Sequence, residues 1–594
     1  MSIRWRITRV RAAVFLAAAL VGFVFALPSE TKASGSSGHA DMVLLNGKVI
    51  TVDKAFSVKQ AVAVRNGKIV SVGTTGTVKR LVGPNTKVID LQGRVLLPGI
   101  NDAHSHVNSL GSSRPPLAVE LGFPAVKSIA DAVAATEAKV KTVPAGKWIR
   151  GGGWNPAFLE ECKADPKRQP TRWDLDKVSP DNPVMFTDFS FHNAWVNSKA
   201  LEMAKITKDT PNPPGGIIER DEKGEPTGIL RENASFMLEA SLPPLTKEER
   251  KGALLGGMKE MNRYGITSYT QPIFGAYEEE AAVYQELCKN GEMTARVTAM
   301  LGFGSNFKDL KANIDKWVAP RGLDSDWLQF PQAKVFADGI PPTKTAWMWE
   351  PYAGGGVGSL TIAADSDQAK YGNLLEMIAY AHKKGWQIGI HATGDRAISS
   401  VLDGYQAAQR AYPKRKDMRH YIIHSEFINA ADIKRSARLG VISCMQPFIA
   451  QLGADGSAGL VGPERAAREW PFKSVVTSGA KLTFSSDAPI IPCDWRKGMQ
   501  AAVLREGFSG NVVGPKERVS RKEAIQAYTI NGAYQDHKER VKGSIEVGKL
   551  ADFCILDKDI MTVEAHEIGN VPVVATIAGG RVVYEAEGFR DAKK

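Results

Sequence analysis

Eight short apolar runs recur between residues 95 and 487, and stretches with helical periodicity separate most of them. They lie around Val95–His104, Ile266–Gln271, Ala295–Leu301, Ala333–Asp338, Gln387–His391, Tyr421–His424, Val441–Gln446 and Leu482–Asp487. The intervening pattern is plain in "YGNLLEMIAYAHKKG" and "AADIKRSARLG", where apolar residues fall at helix spacing and Gly385 and Gly440 stand as C-caps. Strands alternating with helices call for a parallel sheet with helices outside it. Eight repeats fit an α/β (β/α)8 (TIM) barrel. The alternative, a doubly wound open sheet, lacks a glycine-rich dinucleotide fingerprint after the early strands. Residues 107–264, between the first two strands, are far too many for a barrel loop. They read as a long insert with structure of its own, rising above the active face.

The barrel is expected over residues 98–540, with different textures on either side. "MVLLNGKVITV" and "AVAVRNGKIVSVG" each set Asn-Gly-Lys between apolar runs, a hairpin pattern, and "VVATIAGGRVVYE" repeats the idea near the other end. Neither piece alone has strands enough for a stable sheet. Residues 41–97 and 541–590 are therefore expected to combine into one small composite β-sandwich. Residues 1–33 read as a signal peptide: Arg4, Arg6, Arg9 and Arg11 precede the apolar stretch Ala12–Leu27, and cleavage is expected after Ala26 or Ala33. No adjacent Arg-Arg pair is present, so general secretion to the periplasm or beyond is expected. An uncleaved anchor is the alternative, and no stable membrane association is expected once the segment is removed.

Of the formal charge of +12, +4 sits in residues 1–33, and the rest is scattered. With no basic stripe interleaved with aromatics, nucleic acid is excluded as a partner. The expected partner is a small-molecule substrate, with assembly into a homo-oligomer left open. The five cysteines (Cys162, Cys288, Cys444, Cys493 and Cys554) lie far apart without a CxxC pair, which rules out a disulfide framework and leaves a single bridge open.

Barrel active sites lie at the C-terminal ends of the strands, and those ends carry a distinctive set of residues. The first run closes in "GINDAHSHVNS", where an extended chain would turn His104 and His106 to one face. The fourth, "AKVFADG", carries Lys334, Phe336 and Asp338 on one face; the fifth ends at His391, the sixth at His424 and the eighth at Asp487. The other six histidines have no such placement. Four histidines and an aspartate converging on one rim match the nitrogen and oxygen donor sets of zinc and similar ions.

These motifs also carry a resemblance. "LPGINDAHSH", "KVFADG", "HATGDRA", "HYIIHSE", "SSDAP" and "GSIEVGKLADF", together with "GGGWN", "PTRWDLDKVSPDNPVMF", "HNAWVNSKAL" and "PPGGIIERDEKGEPTGIL" from the insert, resemble the amidohydrolase superfamily. Within it they resemble the YtcJ-like branch, amidohydrolase family 3, over essentially all of residues 41–585. The resemblance implies a metal-dependent hydrolase of non-peptide carbon–nitrogen bonds. It implies two divalent cations, zinc by donor type. One would be held by His104, His106 and Asp487, the other by His391 and His424, with Lys334 bridging them as a carbamate. Gln271, in "TSYTQP", departs from the acidic residue expected there in many relatives.

The implied chemistry is attack by metal-activated hydroxide: the cations bring the pKa of a bridging water from 15.7 to roughly 7. Asp487 takes its proton and returns it to the leaving nitrogen. An N-substituted amide or formamide is the expected substrate class. Trp154, His192 and Trp347 are candidate substrate contacts, with Phe189, Phe191 and Trp349 beside them in sequence; packing as the insert's own core is the alternative for the insert residues. The competing functions are a metal-dependent ester, lactone or cyclic-amide hydrolase, and a non-catalytic exported binding protein on the same scaffold.

Overall fold

A computed structural model of the chain describes residues 38–589 apart from 123–124, 166, 189–192, 214–215, 240, 276 and 318–324. The expected signal peptide (residues 1–33) and His192, with Phe189 and Phe191, lie outside the described residues. At the centre are eight parallel strands: β1 (Ile100–Asp102), β2 (Ile266–Phe274), β3 (Arg296–Gly302), β4 (Leu328–Phe336), β5 (Gln387–Ala392), β6 (Tyr421–His424), β7 (Ile442–Met445) and β8 (Leu482–Phe484). Each pairs in parallel with its neighbours in sequence, from β1 round to β8. This is a (β/α)8 barrel.

The ladder stops between β1 and β8, and other groups close that seam. The Ala103 N–H donates to Phe484 O (3.3 Å), the Asp487 N–H to His104 O (3.0 Å) and the His106 N–H to Ala488 O (2.7 Å). Asp102, at the end of β1, accepts the Ser486 N–H at 3.0 Å and the Ser486 hydroxyl as well. A buried carboxylate thus does what strand pairing does elsewhere around the barrel.

The two helices singled out in the sequence end where the glycines placed them. Asp367–Lys384 starts at a Ser366 side-chain cap and stops at Gly385, φ 88°. Ala430–Leu439 starts at Asn429 and stops at Gly440, φ 66°. Both C-caps are left-handed, a conformation that costs glycine nothing.

The expected first strand proves to be two. Val95–Pro98 belongs to a separate sheet and Ile100–Asp102 to the barrel, with Gly99 between them. A Cβ on Gly99 would come within 2.0 Å of Thr267 Oγ1, so only glycine lets the chain cross here. The separate sheet holds Lys48–Ile50, Val58–Lys59 and Val95–Pro98 from one end of the chain and Phe553–Leu556, Val573–Ala578 and Arg581–Glu585 from the other. A second sheet, of Met42–Leu45, Ala61–Arg65, Lys68–Gly73 and Lys87–Asp90, shares a core with it through Leu44, Val62 and Ile89 on one side and Leu96, Phe553 and Ile577 on the other. The turns at Asn66-Gly67 and Gly579-Gly580 form hairpins. Asn46-Gly47 does not. The strands on either side of it lie in different sheets, because the chain must cross the sandwich there: a Cβ on Gly47 would sit 2.3 Å from Leu91 Cδ1.

The insert leaves the barrel just after His106, through the helix Val107–Ser112, and returns by the helix Lys247–Arg263. Glycines let the two pack closely, since a Cβ on Gly111 would meet Ala253 O at 1.8 Å. Between them lies a six-stranded sheet whose edge strands are Ala118–Glu120 and Gly216–Arg220. All five cysteines are free, and no helix among the described residues is long and apolar enough to cross a membrane.

The barrel and sandwich are locked by Arg296, the first residue of β3, whose Nε and Nη2 donate to the two oxygens of Asp552 at 2.7 and 2.8 Å. The side chains are only 4 and 6% exposed, so removing one partner strands a buried charge. Arg296→Leu should destabilise the fold by about 3–5 kcal/mol, read as a fall in the urea midpoint, and adding Asp552→Asn should recover part of the loss. An unchanged midpoint in the single variant would show that the pair does not hold the two units together.

Candidate metal centre

The strand ends deliver their polar residues to one place. Among the described residues, His104, His106 and Asp487 bring one donor atom each within 4.8 Å of one another. The Asp487 Oδ1 atom lies 3.4 Å from Nε2 of both histidines. His104 and His106 are not themselves in a strand, as the sequence had implied; they follow β1 in a short loop before the helix at Val107. Their rings still meet edge to face, 5.2 Å apart. On the other side, the His391 and His424 rings stand 4.4 Å apart, and His424 is 6.4 Å from His104. Between the two groups, Lys334 Nζ lies 3.3 Å from His104 Nε2.

The surroundings decide which nitrogen of each ring is free. The His391 Nε2–H donates to Gly339 O at 3.1 Å, which leaves Nδ1 as the lone pair. The His424 Nδ1–H donates to Gln446 Oε1 at 2.7 Å, which leaves Nε2. Gln446 is held in turn, since its amide donates to Cys444 O and Ser485 Oγ. Anchoring the outer nitrogen fixes tautomer and ring orientation, as in metal-binding histidines generally.

Burial sets the protonation states. It pushes His104 and His391 well below the ordinary imidazole range, and His424 down to about 4, so all three are neutral with lone pairs available at neutral pH. Burial also brings Lys334 down to about 8. For Asp487, burial alone would raise the carboxyl, but the adjoining His106 ring, with His424 and Lys334, outweighs it and keeps the group below its usual range. Asp487 is therefore a carboxylate, yet its Oδ1 has no hydrogen-bond partner, and neither has the buried His104 Nδ1. A buried anionic oxygen facing two imidazole nitrogens, with no hydrogen-bond partner of its own, is the environment a divalent cation completes.

Two residues noted in the sequence prove to hold the site's walls. Gln271 does not face the metal donors. Its Oε1 accepts the N–H of Val107 at 2.7 Å and of Asn108 at 3.4 Å, capping the helix that follows His106. An amide oxygen suffices for that task. Asp338 is a clamp between loops: it accepts the N–H of Trp347, Thr393 and Gly394, and so fixes the neighbouring Gly339 carbonyl that receives His391. Burial raises its carboxyl to about 7 despite those bonds. Sequence reading assigned no role to Gln446, Gly339 or Asp102, although Asp102 and Gly339 lie within the motifs "LPGINDAHSH" and "KVFADG".

The expected substrate contact at Trp154 is corrected. Trp154 lies in the insert's own core, edge to face with Trp195, and its indole N–H is spent on Phe186 O. Trp347 is likewise only 4% exposed, beneath the Arg396 guanidinium at 4.0 Å, although its indole N–H has no partner. Trp349 is exposed.

The Amidohydrolase family matches residues 87–584. The chain belongs to that family. Among relatives of this amidohydrolase, the YtcJ protein of Bacillus subtilis (strain 168) is 28% identical over 533 residues, covering 89% of this chain and 96% of the relative. The N-substituted formamide deformylase of Arthrobacter pascens is 29% identical over 558 residues, covering 92 and 99%. An uncharacterized metal-dependent hydrolase from Pyrococcus furiosus superposes with a TM-score of 0.69 at 26% identity, covering 88% of this chain and all of that one. The amidohydrolase described here is thus a metal-dependent hydrolase of carbon–nitrogen bonds.

If Gln446 sets the His424 tautomer, Gln446→Leu should weaken zinc binding by about 10–100-fold, measured by competition with a chromogenic chelator. Unchanged affinity, with the fold intact by circular dichroism, would remove Gln446 from the site.

Proposed function

We propose that this amidohydrolase cleaves the carbon–nitrogen bond of an N-substituted amide, with N-substituted formamides as the first class to test. The observation that carries the reading is the Asp487 carboxylate, buried and unpaired at Oδ1 between two imidazoles in a cluster of converging donors. Identity of 29% across nearly the whole length of an N-substituted formamide deformylase supports the choice of formamides.

His104, His106 and Asp487 would hold one cation and His391 and His424 a second, with Lys334, as its carbamate, a ligand common to both. Carbamate formation joins the neutral Nζ to CO2 and releases one proton, turning a neutral buried amine into an anion among groups that bind cations. Divalent ions bound there, zinc by the nitrogen and oxygen donors, supply Lewis acidity: they acidify water and polarise a carbonyl oxygen.

The protein's own part is to position groups and move the proton. Asp487, ionised and facing the donors, accepts a proton from the attacking water as its oxygen bonds to the carbonyl carbon. It returns that proton to the nitrogen as the carbon–nitrogen bond breaks, giving a carboxylic acid and an amine. Because the Asp487 N–H donates to His104 O, the proton carrier keeps its place against the His104 loop throughout.

Zinc-loaded enzyme should release formate and amine from an N-substituted formamide in equal amounts. Asp487→Asn keeps the size but not the basicity, and should lower kcat by roughly a hundredfold or more. Turnover by Asp487→Asn near the parent rate, with metal retained, would assign the proton transfer elsewhere.

Export rests on the arginine-rich and then apolar opening of the sequence. Mass spectrometry of exported protein should find a mature N-terminus after Ala26 or Ala33. An intact Met1 would favour an anchor.

A further inference from the structure

The mouth of the metal centre has one apolar wall, and the interior-facing positions of β2, β3 and β4 build it. In the register of these strands Phe274 stands opposite Gly302, and Gly302 opposite Lys334. Phe336 follows Lys334 on the same face, two residues on. A strand carrying any larger side chain at position 302 would fill the space between the phenylalanines, because a Cβ there would lie 2.3 Å from Phe274 Cδ1. With glycine in that place, the rings of Phe274 and Phe336 meet across β3, 5.7 Å apart and inclined by 34°.

Both ends of this pair touch residues of the metal centre. The Phe274 ring stacks on His106 at 6.1 Å and 21°, and the Phe336 ring lies 5.3 Å from His391. The result is an unbroken row of four rings, His106–Phe274–Phe336–His391, linking both halves of the donor cluster. Phe274 and Phe336 end strands that are otherwise largely buried, yet they remain 44 and 42% exposed. A barrel has ample means of covering two phenylalanines. Left open beside the reacting centre, they offer π-faces and apolar area to whatever binds there.

We propose that Phe274 and Phe336, with Gly302 making their space, form the specificity wall that receives the N-substituent of the substrate, and that this substituent is flat and aromatic. The inference rests on the reading of the enzyme as an N-substituted amide hydrolase, and it goes further by naming which group the enzyme selects. A ring stacked on the wall places the amide carbonyl over the donors, so aromatic substrates gain binding that a methyl group cannot supply.

The test compares N-benzylformamide with N-methylformamide in the zinc-loaded parent, Phe336→Ala and Phe274→Ala. In each variant kcat/KM for the benzyl substrate should fall at least about tenfold more than for the methyl substrate, mainly through KM. Phe336→Leu, apolar but not aromatic, should recover only part of the preference. A benzyl-to-methyl ratio unchanged by both alanine variants overturns the wall. A second arm needs no turnover: calorimetry of benzylamine and methylamine on the zinc-loaded protein. Tighter binding of benzylamine that is lost in Phe336→Ala supports the wall even if no formamide is hydrolysed, which would instead count against the proposed reaction. Equal affinity for the two amines overturns the wall whatever the activity.

Discussion

The seam between β1 and β8 is where the molecule's architecture and its chemistry meet. Strand pairing runs all the way round the barrel except there, and the gap is closed by Asp102 gripping Ser486 and by backbone bonds from the loops beyond the two strands. Those loops carry His104 and His106 on one side and Asp487 on the other. The interactions that finish the barrel therefore also set the distance between the imidazoles and the carboxylate. Asp102 is fully buried, which raises its carboxyl to about 7, and the bonds from Ser486 oppose that rise. The closure is thus made from a polar group in an expensive position, held by donors that must stay in register.

The backbone on the rim is strained in the same region. His424 and Asp487 have φ of 77° and 59°, in the left-handed region that side chains other than glycine seldom adopt. Each such residue costs on the order of 1–3 kcal/mol. A relaxed strand end would continue the pleat and send every second side chain outward. Turning the chain left-handed at His424, the last residue of β6, and at Asp487, three residues beyond β8, instead aims an imidazole and a carboxylate at the centre. The surrounding bonds, such as the Ser425 N–H to Ala392 O and the Asp487 N–H to His104 O, hold that geometry in place.

Much of this could be read from the chain before its structure, and the failures have a common cause. His391, His424 and Asp487 each close an apolar run, so local pattern and barrel geometry together suffice to bring them to one rim. Gln446, Gly339 and Gln271 act through partners 22, 52 and 164 positions away, and no local pattern announces such contacts. Asn46-Gly47 has the chemistry of a hairpin turn, but turn chemistry does not say which strand the chain pairs with next, and here it changes sheets. Trp154 fails differently: a tryptophan lining a pocket and one filling a core look alike in sequence, and its burial, its packing on Trp195 and its bond to Phe186 O tell them apart. Phe274 lies beyond the expected second strand, which in the structure runs on to it, and both it and Phe336 end their strands half open.

The composite sandwich has a consequence for how such a chain is made. Val95–Pro98 pairs with Phe553–Leu556, partners some 450 residues apart, so a ribosome must release nearly the whole polypeptide before the second strand exists. Until then, the early strands wait with an open hydrogen-bonding edge and an uncovered apolar face. A nascent or truncated chain ending before Phe553 carries a ready template for strand addition by its neighbours, and keeping it soluble falls to chaperones rather than to its own fold.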